Sequence, residues 1–207
     1  MKTYFLHKNE NSKELILFFG GFASHFSHFK HLSSKKNVLM CYDYEDFNLT
    51  LNLNSFEKIT LIAFSMGVCV ANKLLRNVNF YSKIKLKIAI NGSNLGIDKK
   101  LGIHPRVFLK TIKKFSLENF KKTLFKEEIN LAKDFVFKQE KELKKELENL
   151  WNFANKEQES FLLWDKIYAS KNDEIFPTSA LENSFKTLDF IDAPHFLFFH
   201  FNAWDAF

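Results

Sequence analysis

The sequence predicts an α/β fold with a mostly parallel central sheet, helices on its faces and one helical insertion. Three observations carry this. Short apolar runs alternate with helical or loop stretches from residue 14 to residue 90, the order that parallel strands and their crossovers require. Several of these runs are continuously apolar, as expected of strands covered on both faces. From residue 96 to residue 160 strand character disappears, and it returns at residue 161. The reading is therefore a single domain: residues 1–95 and 161–207 form the core, and 96–160 form the insertion.

The elements follow in order. Tyr4-Phe5-Leu6 is a short first strand, and the polar stretch Lys8 to Lys13 is a turn. Glu14 to Phe19 is a buried strand that stops at Gly20-Gly21, and His25 to Leu32 is expected to be helical. Asn37 to Cys41 is a third strand. Lys58 to Ile62 leads into Ala63-Phe64-Ser65-Met66-Gly67, and Val68 to Arg76 leaves it as a helix. Ile84 to Ile90 is a strand ending in Asn91-Gly92-Ser93. Within the insertion, Pro105 opens a helix carrying Phe108, Leu109, Ile112 and Phe115 at helical spacing. Ser116 and Asn119 mark a second helix start. A long charged helix is expected from about Glu127 to Leu150, with alternating Lys and Glu on a solvated face. Phe161 to Trp164 and Lys166 to Ala169 read as strand, Thr178 to Ser184 as a short helix after Pro177, and Thr187 to Ile191 as the last strand.

Composition narrows the function classes. The 207 residues are 46% hydrophobic, enough for a real core, and 26 of them are phenylalanine. The net charge of +6 is compatible with an anionic partner, but no Lys/Arg run with interleaved aromatics resembles a nucleic-acid module. No window reaches the length of a transmembrane helix. The N-terminus lacks a sustained apolar signal-peptide core, and Cys41 and Cys69 have no zinc or CxxC spacing. The expectation is a cytoplasmic protein with two buried thiols, no nucleic-acid or membrane partner, no bound metal and no cofactor.

The chemistry centres on Ser65. A serine between small residues on a strand-to-helix corner is a nucleophile elbow, which makes the fold α/β-hydrolase-like. Gly67 meets the need for a small residue two positions after the serine, and Ala63 stands where glycine is usual two positions before. A serine hydroxyl needs an imidazole to take its proton and a carboxylate to orient that imidazole. Asp173 and His195 each follow a strand and complete the chain order serine, acid, histidine. Asp98 is the fallback acid, Asp192 suits a local turn, and His200 competes with His195 as base. Backbone N–H groups of Met66 and Phe22 would form the oxyanion hole, with Gly20-Gly21 letting the main chain approach. His25, His28 and His31 have a three-residue spacing, but no carboxylate or cysteine completes a metal set; His25 is expected to shape the oxyanion loop. Arg106, Lys110, Lys113, Lys114, Lys121, Lys122 and Lys126 lie between His104 and Lys126, opposed by Glu118 alone. They read either as a solvated face or as a docking surface for an acidic partner.

Taken together, Gly20-Gly21-Phe22-Ala23-Ser24-His25-Phe26, Tyr42-Asp43-Tyr44, Ala63-Phe64-Ser65-Met66-Gly67, Asn91-Gly92-Ser93, Gly102-Ile103, Asp173-Glu174-Ile175-Phe176-Pro177 and Pro194-His195-Phe196 give an ordered series over nearly the whole chain. In that series the sequence resembles the BioG type of pimeloyl-[acyl-carrier protein] methyl ester esterase. The resemblance implies hydrolysis of the methyl ester of the carrier-bound pimeloyl chain in biotin synthesis, releasing methanol. It implies Ser65 as nucleophile, Asp173 as acid and His195 as base, with acyl-carrier protein as partner. Phe64 replaces the Trp that often precedes the serine in this family. A broader carboxylesterase or thioesterase with the same triad, and a non-catalytic binding module on the same fold, are the alternatives.

Overall fold

Alternation along each strand divides the core into two halves, one on each face of the sheet. Leu15, Leu17, Phe19, Leu61, Ala63 and Ala89 point to one face, while Ile16, Phe18, Ile62, Phe64, Ile88 and Ile90 point to the other. The computed structural model describes residues 1–76, 78–157 and 161–207. Its strands are β1 (Lys2–His7), β2 (Glu14–Phe19), β3 (Asn37–Tyr42), β4 (Lys58–Phe64), β5 (Ile84–Ile90), β6 (Lys166–Ser170) and β7 (Asp189–Ile191). They form a sheet ordered β1-β3-β2-β4-β5-β6-β7, antiparallel where β1 meets β3 and parallel elsewhere.

The order places a switch in direction between β2 and β4. From β2 the chain moves one way to β3, then crosses back to β4 on the other side. Loops leaving the carboxyl ends of β2 and β4 therefore diverge and open a crevice. The register brings those ends level, with Phe19 beside Ala63 and Phe64 beside Ile90.

The helices are α1 (Met66–Leu74), α2 (Pro105–Lys113), α3 (Leu117–Phe125), α4 (Glu140–Ala154) and α5 (Thr178–Ser184). The starts of α2 and α3 carry side-chain caps. The His104 Nδ1 accepts from the Arg106 N–H ahead of Pro105, and Ser116 Oγ accepts from the Asn119 N–H. On the first face α1 lies against β4 and α4, and α2 lies against α4. The second face is largely aromatic: Phe18, Phe29, Phe125, Phe196, Phe198 and Trp204 are all fully buried there, mostly in edge-on or tilted contacts.

Three expectations need correction. The stretch 25–32 holds only a 3₁₀ turn, Phe26–Phe29. The helix expected over residues 127–150 is broken: Lys126 sits at φ 49°, a 3₁₀ segment covers Lys126–Ala132, and α4 begins at Glu140. Between them Phe135 and Phe137 alternate inward against His28 and Phe125. His28 Nε2–H donates to the Val136 carbonyl, and the Val136 N–H donates to Ser27 Oγ, so the segment lies extended as a strap. Phe161 to Trp164 is not a strand, because β6 joins β5 only from Lys166 onward. Leu162 is buried and its N–H donates to Asn72 Oδ1, while Leu163 is 82% exposed. The expected end of the insertion at residue 160 lies outside the described residues.

An ionic clamp fixes the strap to the sheet. Lys138 pairs with Asp43 just past β3 and with Glu146 of α4 at 3.2 Å. Lys2 reaches the other Asp43 oxygen at 2.7 Å. Burial pushes the Asp43 carboxyl upward, but hydrogen bonds from Lys138 and Lys2 outweigh it and hold it below the ordinary carboxylate range. Glu146 has the opposite balance: burial dominates over the attraction of Lys138 and raises its carboxyl to about 6.

Candidate active site

The turn after β4 is held by steric need. Ser65 has φ 55° and ψ −127°, a conformation rare outside glycine. Its N–H donates to the Ile90 carbonyl at 2.8 Å, continuing the β4–β5 ladder past the strand end. A Cβ on Gly67 would lie 2.3 Å from the Gly20 oxygen, so only glycine lets the turn sit against the loop after β2. A Cβ on Gly21 would lie 2.9 Å from the Ser65 Cβ, so that loop passes directly beside the serine. Ala63 is fully buried in register between Phe19 and Ala89.

Ser65, His195 and Asp173 converge from three separate loops. The Ser65 hydroxyl donates to His195 Nε2 at 2.9 Å, and His195 Nδ1–H donates to Asp173 Oδ2 at 2.6 Å. Both of the acid's oxygens are engaged, because Asp173 Oδ1 accepts from the Ile175 and Phe176 N–H groups at 2.8 Å. The Asp173 and His195 side chains are both buried. The imidazole thus has one nitrogen fixed as donor to the carboxylate and the other facing the serine as acceptor.

The competing groups sit elsewhere. Asp98 Oδ1 accepts from the Lys100 and Leu101 N–H groups in its own turn, and those backbone bonds lower its carboxyl. Asp192 meets Asn172 on the surface, and His200 Nε2 meets Glu128 at 2.7 Å. His25 caps the 3₁₀ turn that follows the β2 loop. Burial lowers His28 to about 3, so it stays neutral and donates to Val136. His31 contacts the Phe198 carbonyl. Among the described residues no group of three His, Cys, Asp or Glu is placed to hold a metal.

Met66 opens α1, so its N–H is one of the donors that a helix start leaves without a helical partner. Phe22 lies across from it on the β2 loop, and among the described residues its N–H has no backbone acceptor. Both residues line a cavity of about 360 Å³ that contains Ser65 and His195. Its walls include Phe22, Phe64, Phe108, Phe115 and Phe120, together with Leu147 of α4. Of the predicted basic residues, Lys110 and Lys114 reach this cavity. Arg106 and Lys113 are exposed on α2, Lys122 pairs with Glu118 at 2.6 Å, and Lys121 lies over the Phe137 ring. Lys126 bonds Glu174, a further cavity residue.

Sequence reasoning missed the polar wall made by Ser116, Asn119 and Thr123 of α3. Their spacing of three and four residues was the available signal. A second cavity, about 150 Å³, holds Lys2, His25, Tyr42, Asp43, Lys138 and Glu146 and shares Ala23 and Ser24 with the first.

Comparison with known proteins bears on the family and the fold. An uncharacterised protein of Haemophilus influenzae is 30% identical, the match covering all of this chain and 98% of that protein. A malonyl-[acyl-carrier protein] O-methyltransferase of Bacteroides fragilis is 32% identical over 84% of this chain, which spans only 37% of that longer relative. The solved structure of BioG from Haemophilus influenzae superposes with a TM-score of 0.90 at 27% identity, covering 100% of this chain and 99% of that one. A lipase-esterase related protein of Clostridium acetobutylicum shares the fold at a TM-score of 0.62 and 14% identity, over 95% of this chain and 92% of that one. The fold is that of the α/β-hydrolases. The family described as pimeloyl-ACP methyl esterase BioG matches residues 1–207, and the chain belongs to that family.

Proposed function

We propose that the protein is a serine esterase that hydrolyses the methyl ester of pimeloyl-[acyl-carrier protein] methyl ester. The observation that carries this is the unbroken hydrogen-bonded relay from Asp173 through His195 to Ser65, opening on a largely apolar cavity. His195 takes the Ser65 proton as Oγ attacks the ester carbonyl. The Met66 and Phe22 N–H groups hold the oxyanion, each worth roughly 3 kcal/mol to the transition state. Methanol leaves with the proton from His195, and water activated by His195 then releases the pimeloyl chain. No step calls for a metal or a diffusible cofactor. Asp173 keeps the imidazole in the tautomer that accepts from serine.

The helices α2 and α3 of the insertion act as a lid and wall the cavity. The aromatic wall suits the acyl methylenes. Lys110 and Lys114 at the cavity, with Arg106, Lys113, Lys121 and Lys122 beyond it, suit an acidic carrier protein. Membership of the BioG family supports this substrate. The test is hydrolysis of the carrier-bound methyl ester and of simple aryl esters by the wild-type protein and Ser65→Ala. Ser65→Ala should lose on the order of 10⁶ in turnover, and the carrier-bound ester should be the better wild-type substrate. A folded Ser65→Ala variant that still hydrolyses esters sinks the triad. Faster turnover of aryl esters points to a broader carboxylesterase.

A further inference from the structure

We propose that Asn91 is the positioning residue that holds the His195 loop in register with Ser65. The inference rests on the triad reading above. Asn91 is the first residue past β5, fully buried, with φ 47°. That left-handed backbone is disfavoured for most side chains, and asparagine is among the few that adopt it readily.

Its side chain is saturated. Nδ2 donates to the His195 carbonyl and to Ser170 Oγ, both at 2.7 Å, and Oδ1 accepts from the Ser170 N–H at 2.7 Å. Ser170 ends β6, three residues before Asp173. One buried amide therefore ties the strand that delivers the acid to the loop that delivers the base. The neighbours on either side hold the nucleophile. Ile90 accepts the Ser65 N–H, and a Cβ on Gly92 would lie 2.2 Å from the Ser65 oxygen. Ile90-Asn91-Gly92 thus touches the backbones of both reacting residues.

A residue that merely finished the sheet would need only Ser170. The bond to His195 spans 104 positions and reaches a loop outside the sheet. Its one backbone competitor among the described residues is a longer bond to that carbonyl from the Leu197 N–H, at 3.2 Å. With the Asn91 amide gone, the imidazole keeps its carboxylate, but the His195 carbonyl is left with the longer Leu197 bond alone.

Asn91→Gly and Asn91→Asp both accept the left-handed backbone and are the test. Active sites are counted by titrating Ser65 with a fluorophosphonate, so misfolded protein does not enter kcat. Failure of the wild type to label would overturn the triad reading itself, separately from the role of Asn91. With an aryl ester as probe, kcat per labelled serine should fall by about 10- to 100-fold in Asn91→Gly, with KM little changed. In Asn91→Asp a carboxyl oxygen takes the place of the amide nitrogen 2.7 Å from the His195 carbonyl, so the bond survives only while that acid is protonated. Burial favours the protonated form, and kcat of this variant should fall further below the wild type as pH rises and the acid ionises. Wild-type kcat per labelled serine in Asn91→Gly, or an Asn91→Asp variant no faster than Asn91→Gly at low pH where its acid is protonated, overturns the proposal.

Discussion

Replacing Glu146 with Gln should stabilise the protein, and only above a defined pH. Glu146 is 1% exposed, and burial is the dominant influence on it, raising its carboxyl from 4.5 to about 6 despite the ion pair with Lys138. The folded state therefore binds this proton more tightly than the unfolded chain does. Below pH 4.5 the group is protonated in both states and contributes no penalty. As pH rises from 4.5 through about 6, the folded protein gives up a proton it held favourably, and stability is withdrawn. The full penalty, reached near neutral pH, is the pKa difference times about 1.4 kcal/mol per unit, or roughly 2 kcal/mol. Glutamine keeps the shape without the charge and escapes it. Urea unfolding of wild type and Glu146→Gln at steps across this range isolates the effect, since other titrations cancel in the difference. The two should agree near pH 4.5 and diverge to about 2 kcal/mol at neutral pH, the variant being more stable. A difference independent of pH, or a less stable variant at neutral pH, would refute the reasoning.

Two further outcomes follow from burial. Lys138→Met strips Glu146 of its counter-ion and leaves Asp43 with Lys2 alone, so it should cost about 3 kcal/mol in urea unfolding. Adding Glu146→Met should recover much of that loss, and a double variant no more stable than the single one contradicts the clamp. Cys41 and Cys69 are fully buried and pushed up to about 12 by that burial. Folded protein should leave both unmodified by a disulfide-exchange reagent at neutral pH, with reaction appearing only on unfolding; rapid native labelling would contradict their placement.

The parallel strands were legible because β2, β3 and most of β4 bury both faces and read as nearly unbroken apolar runs, while β5 keeps only Ile88-Ala89-Ile90 fully buried. The turn at Ser65 was legible because its geometry leaves no room at Gly67. Asp173 and His195 could be named from chain order, since parallel strands deliver their following loops to one edge. The strap was misread because Lys and Glu at helical spacing on α4 masked the two-residue alternation of Phe135 and Phe137. Residues 161–164 misled for the opposite reason: they are apolar, but they run off the sheet, the Leu162 N–H bonding Asn72 and pairing with β5 starting only beyond them. The clamp of Asp43, Lys138 and Glu146 joins positions about a hundred apart, and no local pattern announces such a pairing.

The crossing order of the sheet also sets when the parts can meet. β4 and β5 are close in sequence, so the strained turn at Ser65 finds its supports, Ile90 and Gly92, within 27 positions. The Ser65–His195 bond spans 130 positions and must await almost the whole chain. Loop closure of that length comes late, after the nearer strand pairs have formed. During synthesis the serine corner can be complete while His195 is still unmade. A growing chain would then carry the formed Ser65 turn with its hydroxyl still without His195, and the bond between them would close only when the last loop docks.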